Sequence, residues 1–193
     1  MSVCWIETIP VDQATGELRE IYEEVKSPHG TVDNVYLAHS LRPHTLRAHD
    51  QLYRSVLHDG DNTLPAWFLE VVSVYTSLLN GCDYAVTHHF ANVRRLLQDE
   101  ARSAKVFEAL QRARPQEAFS GKELALLQYT EKLTLRPASV RLVDIEGLRE
   151  SGADDGQILE VNQVCACFNY ANRLLSGLGV GLGEDTIGYY PPG

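Results

Sequence analysis

At 193 residues, with 44% hydrophobic residues, the chain is long enough for one large domain or two small ones with a sizeable buried core, and no Pro/Gly/Ser-rich stretch separates its halves. A formal net charge of −9 excludes a nucleic-acid groove, because phosphate binding needs clustered Lys and Arg. Cys4, Cys82, Cys165 and Cys167 are too few and too irregular for a disulfide framework.

Helical periodicity dominates, and strand-like alternation is nearly absent. Gly16–Lys26 puts Leu18, Ile21, Tyr22 and Val25 on one stripe, and His29–Tyr36 reads as a turn. Pro43–Leu57 carries Leu46, His49, Leu52, Tyr53, Val56 and Leu57 at three-and-four spacing, and His58 to Asn62 stops it. Leu64–Leu79 is apolar nearly all round, which predicts burial on most sides. It is too short to span a bilayer and carries Glu70, so no membrane segment is expected.

Asn80-Gly81 ends that helix, glycine suiting the left-handed residue that follows a helix. A second helix begins at Cys82-Asp83 and runs through Leu97, and Ser103–Ala113 is a shorter one. Ser120 to Glu123 has capping-box spacing ahead of the next helix, which Arg136-Pro137 breaks. Asp144 caps a short helix through Arg149, and Asp154 or Asp155 opens Ile158–Leu175. From Gly177 the chain is Gly-rich and ends at Tyr189–Gly193, which reads as an extended or loosely packed tail. About seven or eight helices result.

Glu70 is the only strong acid or base in its helix, and a carboxylate buried there needs a partner. The tight turn at Asn80-Gly81 folds the next helix back antiparallel. Glu70 lies roughly 13 Å below Leu79, and His89 roughly 10 Å below Cys82, at ~1.5 Å per residue. The two therefore end near one level, and a buried Glu–His relay is expected. Cys82 falls at a helix N-terminus, where the dipole favours thiolate over thiol. His88 and His89 point about 100° apart, which disfavours their sharing one metal, and no second metal-spaced Cys/His pair occurs. No metal and no other cofactor are expected. Cys165 belongs to the apolar stripe of its helix; Cys167 points to another side.

Glu70, eleven residues, Cys82, two residues, position 85, three residues, His89: this spacing resembles the E-x11-C-x2-C-x3-H signature of alkylhydroperoxidase-D-like proteins, in the carboxymuconolactone decarboxylase superfamily. Leu79 to His89 looks like the peroxidase-related branch, as do Pro43 with the Leu46–Leu57 helix, and Val164–Gly179 with its Phe168-Asn169-Tyr170, Asn172-Arg173 and Leu178-Gly179. The likeness runs from about Asn34 to Leu182.

It implies an all-α multi-helix bundle with a central antiparallel helix hairpin, a single domain over 1–193 with its core at about 34–182 and an extended tail over 183–193. It further implies a homo-oligomer that reduces hydroperoxides with electrons from a thiol or dithiol. Carried over, Glu70 and His89 are the proton relay and Cys82 the resolving or proton-donating thiol, with His88 and Tyr84 as secondary candidates. The attacking cysteine of the signature is replaced by Ala85, so the two-cysteine cycle cannot run unchanged. Cys82 is seven residues from His89, about 10 Å along the helix, too far for direct proton transfer. Two alternatives stand beside peroxide reduction: a cofactor-free decarboxylase-like enzyme working through His and Glu, and a non-catalytic helical oligomer. With no secretory leader in Met1–Pro10, the cytoplasm is the expected location.

Overall fold

The computed structural model describes residues 3–27 and 29–188, and these are all-α, with no strand among them. The helices are α1 (Gly16–Val25), α2 (Asn34–Leu37), α3 (Pro43–Leu57), α4 (Ala66–Leu79), α5 (Asp83–Leu97), α6 (Glu100–Gln111), α7 (Gly121–Leu135), α8 (Leu142–Glu150) and α9 (Asp155–Leu178). The one helix that the pattern does not predict is α2, a single turn inside the segment read as a turn. No helix among the described residues is long and apolar enough to cross a membrane.

α4 is the centre of the molecule, packing against α5, α9, α7, α6 and α3. Phe68, Leu69, Val71, Val72, Val74 and Tyr75 are fully buried. At about 1.5–3 kcal/mol for each large apolar side chain withdrawn from water, this helix anchors the core. Its buried hydroxyls are satisfied locally: Ser73 donates to the Glu70 carbonyl (2.7 Å), Thr76 to that of Val72 (2.9 Å) and Ser77 to that of Ser73 (2.8 Å).

The α4–α5 turn forms as its sequence predicts. Gly81 takes φ +66°, its N–H bonds the Leu78 carbonyl (3.1 Å), and the Cys82 N–H bonds the Ser77 carbonyl (3.0 Å). These two bonds close a Schellman motif and reverse the chain. At the start of α4, the Glu160 carboxylate of α9 accepts from the Thr63 N–H (2.8 Å) and the Leu64 N–H (2.9 Å).

Several local expectations differ from what forms. Ser120 precedes α7 but its hydroxyl makes no capping bond. Asp144 lies inside α8, at its third position, where its carboxylate accepts from the Arg141 N–H (2.7 Å). Asp154 caps α9, accepting from the Gln157 N–H (2.8 Å). α9 continues past Leu175 to Leu178, ending at Gly179 in a left-handed conformation. A Cβ at Gly179 would meet the Trp5 ring at 2.1 Å, so the N-terminal segment lies directly on this glycine.

Beyond α9, residues 181–188 hold no regular element, yet they are tied down rather than loose. The Asn34 side chain donates to the carbonyls of Gly181 (2.8 Å) and Leu182 (3.1 Å), and the Asp185 carboxylate accepts from the Asn34 N–H (3.0 Å) and from the Tyr84 hydroxyl. They form a strap joining α9 back to α2 and α5. Of the tail expected over 183–193, residues 189–193 lie outside the described residues.

Candidate active site

The hairpin brings Glu70 of α4 against His89 and Asn92 of α5. Glu70 is 1% exposed. Its Oε2 accepts from His89 Nδ1 at 2.7 Å and its Oε1 from Asn92 Nδ2 at 2.9 Å, so both oxygens of the carboxyl are engaged. With the Nδ1–H directed at Glu70, the basic nitrogen of His89 is Nε2. The ring is held by an edge-on contact with Phe168 of α9, centroids 4.5 Å apart at 89°. A second imidazole flanks the carboxyl: His58 Nε2 stands 4.0 Å from Glu70 Oε1 and 2.8 Å from the Tyr53 hydroxyl.

His89 lines a cavity of about 80 Å³ enclosed by α3, α5, α9, the α2 turn and the strap. Its walls include His49 and Tyr53 from α3, Ala85 and His88 from α5, and Cys167 from α9. Among the described residues no Lys or Arg lines it. Burial lowers the pKa of His49 and of His88 to about 4, so both are neutral near pH 7. Burial, helped by the neighbouring Asp185, raises the Asp33 carboxyl at the rim to about 7.

This architecture recurs in solved structures. Over 95% of this chain and 94% of the other it matches an alkylhydroperoxidase AhpD core, an uncharacterized peroxidase-related protein from Ralstonia eutropha JMP134, with a TM-score of 0.82 and 22% identity. An uncharacterized peroxidase-related protein from Silicibacter sp. TM1040 matches 94% of this chain over 92% of its own, with a TM-score of 0.77 and 25% identity. The protein has the AhpD-core fold. A cysteine variant of the debrominase Bmp8, in complex with 2,3,4-tribromopyrrole, is a more distant match, with a TM-score of 0.69 and 15% identity over 94% of this chain and 91% of its own. No protein-family model matches the sequence, and neither does any curated protein.

Within this AhpD-core frame Cys82 keeps the place the spacing gives it but does not line the cavity. Cys82 is the residue that precedes α5, as predicted; it is 3% exposed and packs in one cluster with Cys4, Ala38, Tyr84, Ala85, Leu175 and Val180, of which Tyr84, Ala85 and Leu175 line the cavity and Cys82 does not. Burial pushes its thiol above the ordinary value, outweighing the Ala85 and Tyr84 N–H groups and the Ser176 hydroxyl that favour thiolate. Desolvation thus works against the thiolate expected at this helix end. Ala85 does face the cavity, 2% exposed.

The secondary candidates are both present. Tyr84 stacks on His88 (centroids 4.6 Å) with its hydroxyl held by Asp185, and burial beside that carboxylate drives its pKa well above the usual phenol value. His88 Nδ1 accepts from the Gly188 N–H at 3.4 Å. Four further residues were not placed at the site by sequence: His49, His58, Asp33 and Cys167. His49 and Tyr53 share a face of α3 four residues apart, a signal available in the sequence. Nothing local marks Asp33 or Cys167, because the elements that meet them are distant along the chain.

Proposed function

We propose that the protein reduces small, neutral hydroperoxides in the cavity beside His89, with the Glu70–His89 pair moving the proton. One observation carries the proposal: a carboxyl–imidazole pair at 2.7 Å, buried, whose basic nitrogen belongs to a ring lining a cavity with no fixed positive charge. At about 80 Å³ the cavity is well below the ~150 Å³ of an engineered cavity that takes benzene, so it suits a ligand of a few heavy atoms. A hydroperoxide is uncharged, hydrogen-bonds through its O–H, and leaves as an alkoxide that needs a proton. An imidazole oriented by a carboxyl supplies one. The fold, shared with peroxidase-related proteins, is in keeping with this reading.

The decarboxylase-like alternative fits the cavity less well. An acidic lactone would bring one or more carboxylates to walls that, among the described residues, carry Asp33 and no Lys or Arg. The proposal includes a low-molecular-weight thiol or dithiol as reductant, and association of the chain with copies of itself.

The test is consumption of hydrogen peroxide and methyl hydroperoxide by the purified protein with dithiothreitol as reductant. Turnover above the buffer rate is expected, falling by about 10²–10⁴-fold in Glu70→Gln and in His89→Gln, the range typical of lost general acid–base catalysis. A folded wild-type protein that consumes neither peroxide would overturn the proposal and leave the non-catalytic reading standing.

A further inference from the structure

All four cysteines are free thiols and buried, but their surroundings differ. Cys165 is a core residue, its sulfur in contact with the Thr134 hydroxyl (3.3 Å) and the Thr130 carbonyl (3.7 Å). Cys4 and Cys82 share the apolar cluster beneath α2 and α9. Among the described residues only Cys167 brings a thiol to the wall of the cavity. It precedes Phe168, the residue whose ring holds His89 edge-on, so α9 presents the sulfur and the imidazole's support from adjacent positions.

A second observation marks this cavity as built for a ligand. His49 and His88 line it, each 7% exposed, and each keeps a ring nitrogen without a hydrogen-bond partner: Nδ1 of His49 and Nε2 of His88. The nearest acid to His88 Nε2, Asp185 Oδ2, is 3.7 Å away, beyond hydrogen-bond range. Buried polar atoms are nearly always paired, so two histidines of the cavity wall that each leave a ring nitrogen unpaired mark this wall as polar and under-satisfied.

We propose that Cys167 is the sulfur that the hydroperoxide oxidises, and this rests on the reading of the cavity as a hydroperoxide site. Burial holds the Cys167 thiol up to about 11, and no base is in hydrogen-bond contact with it, so its proton has to reach the Glu70-linked His89 ring, which lines the same cavity, through a molecule held in that cavity. The Cys167 proton passes through that molecule to His89. The thiolate sulfur attacks the terminal oxygen of the hydroperoxide, forming an S–O bond as the O–O bond breaks. Sulfur is oxidised by two electrons to the sulfenic acid, and the alkoxide takes the proton back from His89 and leaves as the alcohol. One external thiol then displaces water to give a mixed disulfide, and a second releases the Cys167 thiol with an external disulfide as product.

The test is mapping of the sulfenic acid on the intact wild-type protein. Hydrogen peroxide is added with dimedone, and fragmentation mass spectrometry assigns the adduct, separating Cys167 from Cys165 within one peptide. The expected result is an adduct at Cys167, together with a loss of peroxide consumption of at least about tenfold in Cys167→Ser, with folding checked by circular dichroism. An adduct at Cys82 or Cys4 with Cys167 unmodified overturns the assignment, as does wild-type consumption by Cys167→Ser. Peroxide consumption without any cysteine adduct sinks Cys167 alone and leaves the hydroperoxide function intact. Absence of both consumption and adduct removes the two together.

Discussion

At the scale of single residues, Glu70 shows how a buried acid organises its surroundings. It accepts from His89 and Asn92, two side chains of the partner helix, and both would lose this acceptor in Glu70→Ala. A His89 donor left unpaired in the core costs about 1–3 kcal/mol. Urea unfolding of Glu70→Ala is expected to show a loss of at least that size, while Glu70→Gln, which keeps an acceptor for His89, loses less. Equal losses in the two variants would mean that the carboxyl's hydrogen bonds contribute little. Cys82 carries the opposite lesson. Its position next to a helix N-terminus was legible from the Asn80-Gly81 turn, but its chemistry was not, because chain order does not reveal the apolar cluster that covers it. The same gap hid Cys167, whose neighbours in the cavity come from α3 and α5.

At the scale of elements, the hairpin and the strap do different work. The hairpin is local: α4 and α5 are consecutive, the turn closes on its own hydrogen bonds, and the level of Glu70 against His89 follows from helix rise. The strap is not local. Asp185 accepts from the Asn34 N–H and from Tyr84, joining residues about 150 and about 100 positions away. Asp185→Ala is expected to release it, raising amide hydrogen exchange over 181–188 and over Asn34–Leu37 at the start of α2, while the exchange of α4 stays unchanged. Exchange confined to background in both segments would show that the Asn34 side-chain bonds to Gly181 and Leu182 suffice by themselves.

For the whole molecule, the buried imidazoles predict a pH dependence of stability. His49, His58 and His88 are each lowered from about 6.5 to about 4, chiefly by burial. Between those values the unfolded chain takes up protons that the folded chain refuses. Their contribution is therefore present above about pH 6.5 and is lost as pH falls towards about 4. Asp33 acts in the other sense. Raised from 3.8 to about 7 by burial and by Asp185, it favours the folded state at acid pH and loses that contribution as pH rises through about 7. Thermal unfolding is expected to show Tm dropping on acidification from pH 6.5 to 4. Asp33→Asn should gain on wild type as pH rises from about 4 through 7. A Tm that is flat over pH 4–6.5 would mean that the three imidazoles are hydrated more fully than their packing implies.

What the sequence by itself determined is everything set by short-range geometry: the all-α class, the burial of α4 all round, the reversal at Gly81 and the meeting of Glu70 with His89. Periodicity and helix rise act between neighbours in the chain, so they can be read one residue after another. What only the tertiary structure decided is which side chains share the cavity and what burial does to them. Helices α3, α5 and α9 and the strap close one space from four parts of the chain, and desolvation there holds two histidines neutral and leaves Cys82 outside it. Desolvation depends on every atom around a group, and no spacing along the chain encodes it.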